Sequence, residues 1–600
     1  MGKYYQFLKQ FFQKERKNIV FIFILVMLAQ LFSVAEPLFY STILAKFVSD
    51  SHNLHTFPDA HTFLVLLTIT VLGWIAVALL SRIFKNIQQF MTATVSDRVG
   101  INIFNHAYEH VIRLPMAFFS GQKTGEIFRK MSKARDDVTL LFQTFFDKIF
   151  QNSFTIAVVL TYIFIKQWRI GLILIALIPV FILVTSYFTK KIKKVQNEIN
   201  AINERLFGTS FEALNHIEVV KSFATEELEI RQVANDNAVS HENFKKRNRS
   251  FRDLLFWQGT IINFGRVVLV WYGAVLAYHG QLSFADLIVF NFFTFYIYQP
   301  LYDIGDVYTQ YQQGISAVDR LRTLLDEPIT IKNNPEALKP AHLKGKIEFK
   351  NVSFAYFTGD REIIRDISFK VEPGKKLSIV GLSGSGKSTI VKLLLRFYEP
   401  TSGQILIDGR NIADYDLDVL HRRIGLVLQD NVLFNTTLGE NIRYGTPEAT
   451  DQDLKKASSR AYLDQLVEKL TAGLKTMVGE RGLKISGGEK QRVAIARSII
   501  KKPDILIFDE ATSSLDSHSE EMIKQAIDKV SEGVTSVTVA HRFATVVNSD
   551  EILLLEAGQI IERGTHPALL KHNGKYAELY RLQTQRQIEP AALTAAIDTN

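Results

Sequence analysis

Eight residues, Gly381-Leu-Ser-Gly-Ser-Gly-Lys-Ser388, stand between the apolar run Leu377-Ser-Ile-Val380 and the apolar stretch Ile390-Val-Lys-Leu-Leu-Leu395. Strand, glycine-rich turn and helix start in that order make a phosphate cradle. Glycines let backbone N–H groups surround the anion, an ammonium reaches its outer oxygens, and a hydroxyl ligates Mg²⁺. Gly381, Ser383, Gly384, Gly386, Lys387, Ser388 and Thr389 are therefore candidate contacts to a nucleoside triphosphate. Further on, Ile505-Leu-Ile-Phe-Asp509-Glu510 is an apolar run ending in two carboxylates. On such a strand Asp509 holds Mg²⁺ through water while Glu510 faces the γ-phosphate and orients or deprotonates a water. The chemistry expected is hydrolytic phosphoryl transfer.

The elements that must position these groups begin at Lys346. Short β-branched runs alternate there with helical sequence: Ile347 to Phe354, Ile363 to Val371, Leu377 to Val380, Ile405 to Ile407, Ile424 to Leu428, Ile505 to Phe508, Val534 to Ala540 and Ile552 to Leu555. This alternation predicts an α/β domain over 346–585 with a mainly parallel sheet. Between Phe434 and Lys501 helical sequence takes over, which predicts a helical subdomain inserted in it. Residues 586–600 read as a tail.

The first half has a different character. Apolar residues make up 47% of the 600 and aromatics 11%, and the apolar ones crowd into long segments nearly free of charge. Six membrane-spanning helices are expected, at about 19–40, 63–85, 145–165, 168–189, 254–278 and 284–303, each close to the roughly 20 residues a bilayer requires. Charged, helix-periodic stretches of roughly 60 residues separate spans two and three and spans four and five, far more than a turn needs. They predict helices projecting into the cytoplasm. A polar, proline-punctuated linker over 327–345 ends this all-α domain of 1–326.

Lys3, Lys9, Lys14, Arg16 and Lys17 precede the first span, whereas the loop after it carries only Lys46. The bias places the N-terminus in the cytoplasm, and an even span count returns the C-terminus there. Tyr4, Tyr5, Leu8, Phe11 and Phe12 share one helical face, as an interfacial helix needs. The net charge of +9 gathers beside spans, at Lys190, Lys191, Lys193 and Lys194 and at Lys245, Lys246, Arg247 and Arg249. Topology and anionic lipid account for it, and nucleic acid is not an expected partner. With no cysteine, disulfides and thiolate metal sites are excluded. Glu36-Pro37 after the first apolar run does not resemble a signal cleavage site.

With these motifs in place the chain resembles the ATP-binding cassette exporters, specifically half-transporters with one membrane domain fused to one nucleotide-binding domain. The segment Ile485-Ser486-Gly487-Gly488-Glu489-Lys490-Gln491-Arg492 is similar to the family signature, with Ile in place of Leu and Glu489 in place of Gln. The resemblance implies ATP and Mg²⁺ as cofactors. It also implies that Ser486 and Gly488 meet the γ-phosphate, that Gln429 touches Mg²⁺ and the attacking water, and that His541 is the switch histidine. By the same likeness Tyr356 stacks on adenine and Asp516 lies in a loop crossing between paired subunits. ATP would be sandwiched between two cassettes, so the partner expected is a second copy, in a homodimer, or a related half-transporter. Leu114 to Phe119, with Phe118 and Phe119 as docking knobs, and Phe211 to Thr225 are the expected coupling segments. The location implied is a membrane, taken as a bacterial inner (plasma) membrane.

Substrate identity rests on few residues. Arg266, near the middle of span five, costs several kcal/mol if it faces lipid, so a water-filled cavity or an acidic partner is expected for it. Asn263, Asn291, Tyr296, Tyr298 and Gln299 are candidate neighbours, and Asp303 or Asp306 a candidate partner. The principal expectation is ATP-driven export or flipping of an amphipathic lipid or drug. An alternative is export of glutathione conjugates, sulfur compounds or metal–thiol complexes, because Val478 to Lys484 and Asn263-Phe-Gly265 are similar to the iron–sulfur-linked half-transporters. A third, of another class, is an ATP-gated regulatory membrane protein.

Overall fold

The computed structural model describes residues 9–48, 59–121, 124–357, 361–429, 431–479, 485–509, 517–540 and 543–583. The chain divides into two compact units: Met1–Ile112 with Thr124–Glu327, and Arg113–Lys123 with Pro328–Asn600.

The first unit is helical. Its elements are α1 (Arg16–Ile43), α2 (Ala60–Ile112), α4 (Thr124–Thr144), α5 (Gln151–Asn215), α6 (Ile217–Ser222), α7 (Glu226–Tyr278), α8 (Phe284–Tyr302) and α9 (Ile304–Leu325); α3 (Met116–Ser120) belongs to the second unit. Among the described residues four helical stretches, Lys9–Phe47, Ala60–Ile112, Thr124–Asn215 and Glu226–Tyr278, are long and apolar enough to cross a membrane. The third holds two of the expected spans, separated where Gln167 leaves helical geometry (φ −156°, ψ 89°). The sixth expected span is α8, whose apolar run is interrupted by Asp286, Asn291 and Gln299. Ser283 caps its start by accepting from Asp286 N at 3.0 Å, satisfying one orphan donor of the first turn.

The apolar stripes of α1, α5, α7 and α8 meet in one core that includes Val34, Val159, Leu174, Leu269, Phe290 and Phe293. Gly265 makes the close approach possible, since a Cβ there would lie 2.3 Å from Leu177 Cδ1. Leu64, Ile69, Leu72 and Ile75 on α2 are exposed instead, as lipid-facing residues must be. Phe11 departs from the interfacial expectation: it is buried, edge-on to His106 at 5.7 Å, and Phe12 stacks on Phe142 at 5.3 Å. These rings pack on α2 and α4. Tyr4, Tyr5 and Leu8 lie outside the described residues.

The described residues of the second unit form two sheets, where the alternation of runs suggested one. β1 (Ile347–Phe354), β2 (Ile364–Val371), β4 (Ser402–Ile407) and β5 (Arg410–Asn411) form an antiparallel sheet in the order β2-β1-β4-β5. β3 (Lys376–Val380), β6 (Ile424–Val427), β7 (Ile505–Asp509), β8 (Thr535–Val539), β9 (Glu551–Glu556) and β10 (Gln559–Gly564) form the other, in the order β10-β9-β3-β8-β7-β6. Only β10 runs antiparallel in it. Only nine residues connect β1 to β2, too few for a crossover helix, so the pair closes as an antiparallel hairpin.

The helices of this unit are α10 (Lys387–Leu394), α11 (Leu417–Arg423), α12 (Leu438–Arg443), α13 (Asp451–Arg460), α14 (Asp464–Lys469), α15 (Gly487–Ile499), α16 (Ser517–Val530), α17 (His566–His572) and a last one over 575–583. α12 to α15 make the inserted subdomain. β7 serves two cores by simple alternation: Ile505 and Ile507 join the cluster around β1 and β3, while Leu506 and Phe508 join the cluster around α12 and α15. Each such fully buried side chain contributes about 2 kcal/mol, so the strand bearing Asp509 is held from both faces. The segment 328–345 is no free tether: Leu338 N donates to Asp414 O at 2.7 Å, Leu417 N to Asn333 Oδ1 at 2.8 Å, and Leu343 N to Asp504 Oδ2 at 2.9 Å.

Candidate nucleotide site and membrane pocket

Four neighbouring parallel strands, β3, β8, β7 and β6, end on one edge of the larger sheet, with Ile379 opposite Val539, Val539 opposite Asp509, and Phe508 opposite Val427. Ligands of open α/β sheets bind outside the carboxyl ends of such strands. β3 leads into the loop 381–386, β7 ends in Asp509, and Gln429 follows β6 by two residues, exposed. Glu510 and His541 directly follow the last described residues after β7 and β8; they and Asp516 lie outside the described residues.

Gly386, with φ 103°, caps α10, and a Cβ there would meet Ile364 Cδ1 at 2.6 Å and Ile363 O at 3.1 Å. Gly384, with φ 78°, faces open space. The glycines leave the loop backbone bare where α10 begins, with open space at Gly384, and a backbone turn leading into a helix N-terminus is the arrangement that attracts an anion. Lys387 is buried, and its Nζ donates to Gly381 O at 3.0 Å and Leu382 O at 2.9 Å, curling the ammonium over the loop. Ser385 Oγ is buried without a hydrogen-bond partner, although burying an unpaired hydroxyl is costly. A phosphate oxygen in this cradle would satisfy it, so the residues present fit a triphosphate. Ser385 escapes notice in the sequence because nothing distinguishes it from the loop's other serines.

Ser388 Oγ donates to Asp509 Oδ1 at 3.2 Å, bringing together two of the three expected Mg²⁺ contacts. Among the described residues no group of three His, Cys, Asp or Glu could hold a metal by itself. One hydroxyl and one carboxylate suit an ion bound mainly by phosphate and water, as Mg²⁺ prefers. Thr389 pairs with Tyr356 Oη at 3.1 Å, and Tyr356 packs edge-on to Phe354 and Tyr398 at 5.0 and 5.1 Å. Lys392 stands 5.3 Å over the Tyr356 ring, a cation absent from the sequence reading.

Ser486 caps α15: its Oγ accepts from Glu489 N at 3.3 Å, and Glu489 Oε2 accepts from Ser486 N at 2.7 Å. Glu489 thus completes a capping box, and Gly488 is buried beside it. Within the second unit, α3 packs through Ala117 against the core around β1 and β3, and Ser120 Oγ meets Tyr398 Oη at 3.1 Å. The expected knobs Phe118 and Phe119 stack edge-on with each other at 5.4 Å. The other coupling candidate is α6 in the first unit, with Val219 and Phe223 exposed.

Among the expected cavity residues, Arg266 and Asn291 come together, Arg266 Nε donating to Asn291 Oδ1 at 3.3 Å, and the guanidinium lies 4.7 Å over the Phe295 ring. No ion pair joins Arg266 to Asp303 or Asp306 among the described residues; an amide and an aromatic face take the place of the acid. Asn263 is exposed. Tyr298 is displaced from the expected cavity: it is 1% exposed, and its Oη donates to Leu174 O at 3.2 Å inside the helical core. Gln299, one residue on and about 100° around the helix, lines a pocket of about 300 Å³ together with Tyr296 and Asp303.

Comparison with known proteins follows this division. The family description "ABC transporter transmembrane region" matches residues 19–301 and "ABC transporter" matches 364–513. The chain is 35% identical over 95% of its length to the mitochondrial iron–sulfur clusters transporter ATM1 of Kluyveromyces lactis, 79% of which is covered. It is 31% identical over 97% of its length to YgaD of Bacillus subtilis, named for multidrug export, 99% of which is covered. A bacterial Atm1-family ABC exporter solved with ATP bound superposes with a TM-score of 0.82 at 30% identity, covering 95% of this chain and 98% of that one. The chain therefore belongs to the ATP-binding cassette transporters, as an exporter-type half-transporter that binds ATP and couples its hydrolysis to transport across a membrane.

Proposed function

We propose that the chain works as a homodimer exporting an anionic thiol-derived compound, such as a glutathione conjugate or a metal–thiol complex. The observation carrying this reading is Arg266, a cation among membrane helices with no ion pair among the described residues, whose neighbours are an amide and an aromatic ring. An uncharged lipid or neutral drug leaves that charge unsatisfied, whereas an anion neutralises it. The names of the Kluyveromyces relative and of the Atm1-family structure point the same way, so the lipid-or-drug expectation becomes the second reading, favoured by the Bacillus relative's name.

At the nucleotide site, Lys387 and the first-turn amides of α10 bind phosphoryl oxygens, and Ser388, Asp509 and Gln429 hold Mg²⁺, which supplies neutralising charge. Glu510 orients or deprotonates the attacking water and His541 contacts the γ-phosphate. Ser486 and Gly488 of a second copy close the sandwich, with Asp516 crossing between subunits and Tyr356 against adenine. Both termini lie on the nucleotide side of the membrane.

The test is ATPase activity and uptake in reconstituted vesicles with glutathione disulfide, glutathione conjugates, lipids and drugs. Anionic glutathione derivatives are expected to stimulate turnover and to accumulate, and Arg266→Ala to remove that response. Stimulation by lipids or drugs alone would overturn the substrate assignment. Wild-type hydrolysis by Glu510→Gln would overturn the catalytic one.

A further inference from the structure

Shortly after β8 and His541 the chain makes a 3-10 turn, Phe543–Thr545. The first N–H of a helical turn finds no partner within it. Here the partner comes from the far end of the described chain: Gln583 Oε1, on the last helix, accepts from Phe543 N at 3.0 Å. The same helix clasps the Phe543 ring, which lies edge-on to Tyr576 at 5.1 Å and to Tyr580 at 5.7 Å. Nothing in the nucleotide chemistry above uses these contacts.

The helix that reaches Phe543 is itself fixed in place. Glu562 on β10 receives its start, Oε1 accepting from Lys575 N at 2.6 Å and Oε2 from Tyr576 N at 3.3 Å, a carboxylate at a helix N-terminus. Tyr576 is fully buried, with its hydroxyl 2.7 Å from His566 Nδ1 on α17. Tyr576 shares one apolar cluster with Val380, at the end of β3, and Ala540, just after β8, and Phe543 packs against that cluster. Gln583 is thus presented from the scaffold that also carries the strands leading into the phosphate loop and to His541.

His541 lies outside the described residues, but both of its flanks are described. On one side Ala540 N donates to Ile379 O at 3.1 Å; on the other Phe543 N is held by Gln583. Two residues of extended chain span at most about 7 Å, so fixing the Phe543 amide restricts where the backbone of His541 can go. A group that contacts the γ-phosphate raises the rate only while it is held in place. We infer that Gln583 is a positioning residue for His541, its side-chain oxygen holding the turn behind the histidine, and that the last helix acts on hydrolysis through that turn. This rests on the assignment of His541 to the γ-phosphate.

The experiment is steady-state ATP hydrolysis by the full-length protein in lipid nanodiscs, for Gln583→Met and Gln583→Glu, each alone and combined with His541→Ala. Methionine keeps the reach and removes the oxygen, so kcat should fall about tenfold, as expected for leaving one amide unpaired. KM for ATP should stay within about twofold, because the phosphate loop is untouched. Glutamate keeps an acceptor at the same reach and should recover kcat to within about threefold of wild type. With His541→Ala present, Gln583→Met should cause no further loss, since two residues acting through one group are not additive. Wild-type binding of a fluorescent ATP analogue reports that each variant is folded. A fall by the same factor in both backgrounds, or an equal fall with methionine and glutamate, would make Gln583 a structural contact and overturn the inference. If Gln583→Met turns over like the wild type while His541→Ala does not, the inference falls and the histidine's assignment stands. Wild-type hydrolysis by His541→Ala would overturn that assignment, and the inference with it.

Discussion

Arg497 donates from Nε to the main-chain oxygen of Asn441 at 2.8 Å and from Nη2 to that residue's side-chain oxygen at 2.9 Å. Its Nη1 reaches Val432 O at 3.2 Å, and Phe434 and Tyr444 flank the guanidinium with ring centroids at 5.8 Å. Asn431 adds a bond to Gln491 Oε1 at 2.5 Å. The chain just beyond Gln429 is thereby fastened to α15, the helix that Ser486 caps, so the two segments proposed to contact nucleotide are tied together.

Arg497→Lys should break that fastening. An ammonium cannot reproduce a planar fork serving three acceptors, and hydrogen bonds from charged groups are worth about 1.5–3 kcal/mol each. Stability should fall by about 3 kcal/mol, read as a lower melting temperature of the full-length protein. Maximal hydrolysis rate should drop more than the apparent affinity for ATP, since Gly381–Ser388 is untouched. An unchanged melting temperature would contradict the assignment.

Two glycines of the phosphate loop should respond differently to alanine. At Gly386 the new methyl meets Ile364 and the Ile363 carbonyl at a positive φ, whereas at Gly384 it meets nothing within 4 Å. Gly384→Ala should cost only the left-handed backbone penalty, about 1 kcal/mol. Gly386→Ala adds a clash and should reduce nucleotide affinity at least tenfold beyond Gly384→Ala. Equal losses in a fluorescent-nucleotide titration would show that the methyl contacts are harmless.

The phosphate loop and the strand ending at Asp509 are legible in the sequence because their constraints are local. A tight turn demands glycine, and a strand buried on both faces demands an unbroken apolar run. What a side chain faces is not local. Tyr298 and Gln299 are both polar residues on one aromatic-rich helix, and only packing decides that the first enters the core and the second the pocket. Asp303 reads in the sequence as a candidate partner of Arg266, yet the fold sets it with Lys85, from α2, in one cavity. The antiparallel sheet was hidden for a similar reason: alternating runs show that strands exist but not which edge they join. Arg266 was legible as an intramembrane cation, yet its partners, an amide and a ring, were not.

Lys501 gives a pH signature. Its Nζ donates to His421 O at 2.9 Å and Ile424 O at 2.7 Å, and burial pushes its pKa down to about 8 from 10.5. Below about pH 8 the ammonium is charged in both folded and unfolded states and bears the full cost of burial. Between about 8 and 10.5 the folded protein has released the proton while the unfolded chain still holds it, so stability rises with pH across that window. The gain is on the order of 3 kcal/mol. Lys501→Met should flatten the rise, and melting curves from pH 7 to 10 for the two proteins check it. Parallel curves would rule the lysine out as the source.

Ala117 tests whether α3 transmits force. It packs against the core around β1 and β3, with Ser120 on Tyr398 beside it. Ala117→Glu places a carboxylate against that apolar surface, where an unpaired charge is costly, and should displace α3. None of the phosphate-loop residues lies on α3, so unstimulated hydrolysis should stay within about twofold of wild type. What should disappear is the dependence of hydrolysis on transported substrate, together with uptake into vesicles, because a displaced α3 no longer links the nucleotide state to the helices on either side of it in the chain. Ala117→Val, which adds only two methyl groups, should keep the coupling largely intact and separates loss of contact from loss of side-chain size. If Ala117→Glu pumps normally, α3 is a structural plug of the nucleotide unit and coupling must be sought at α6.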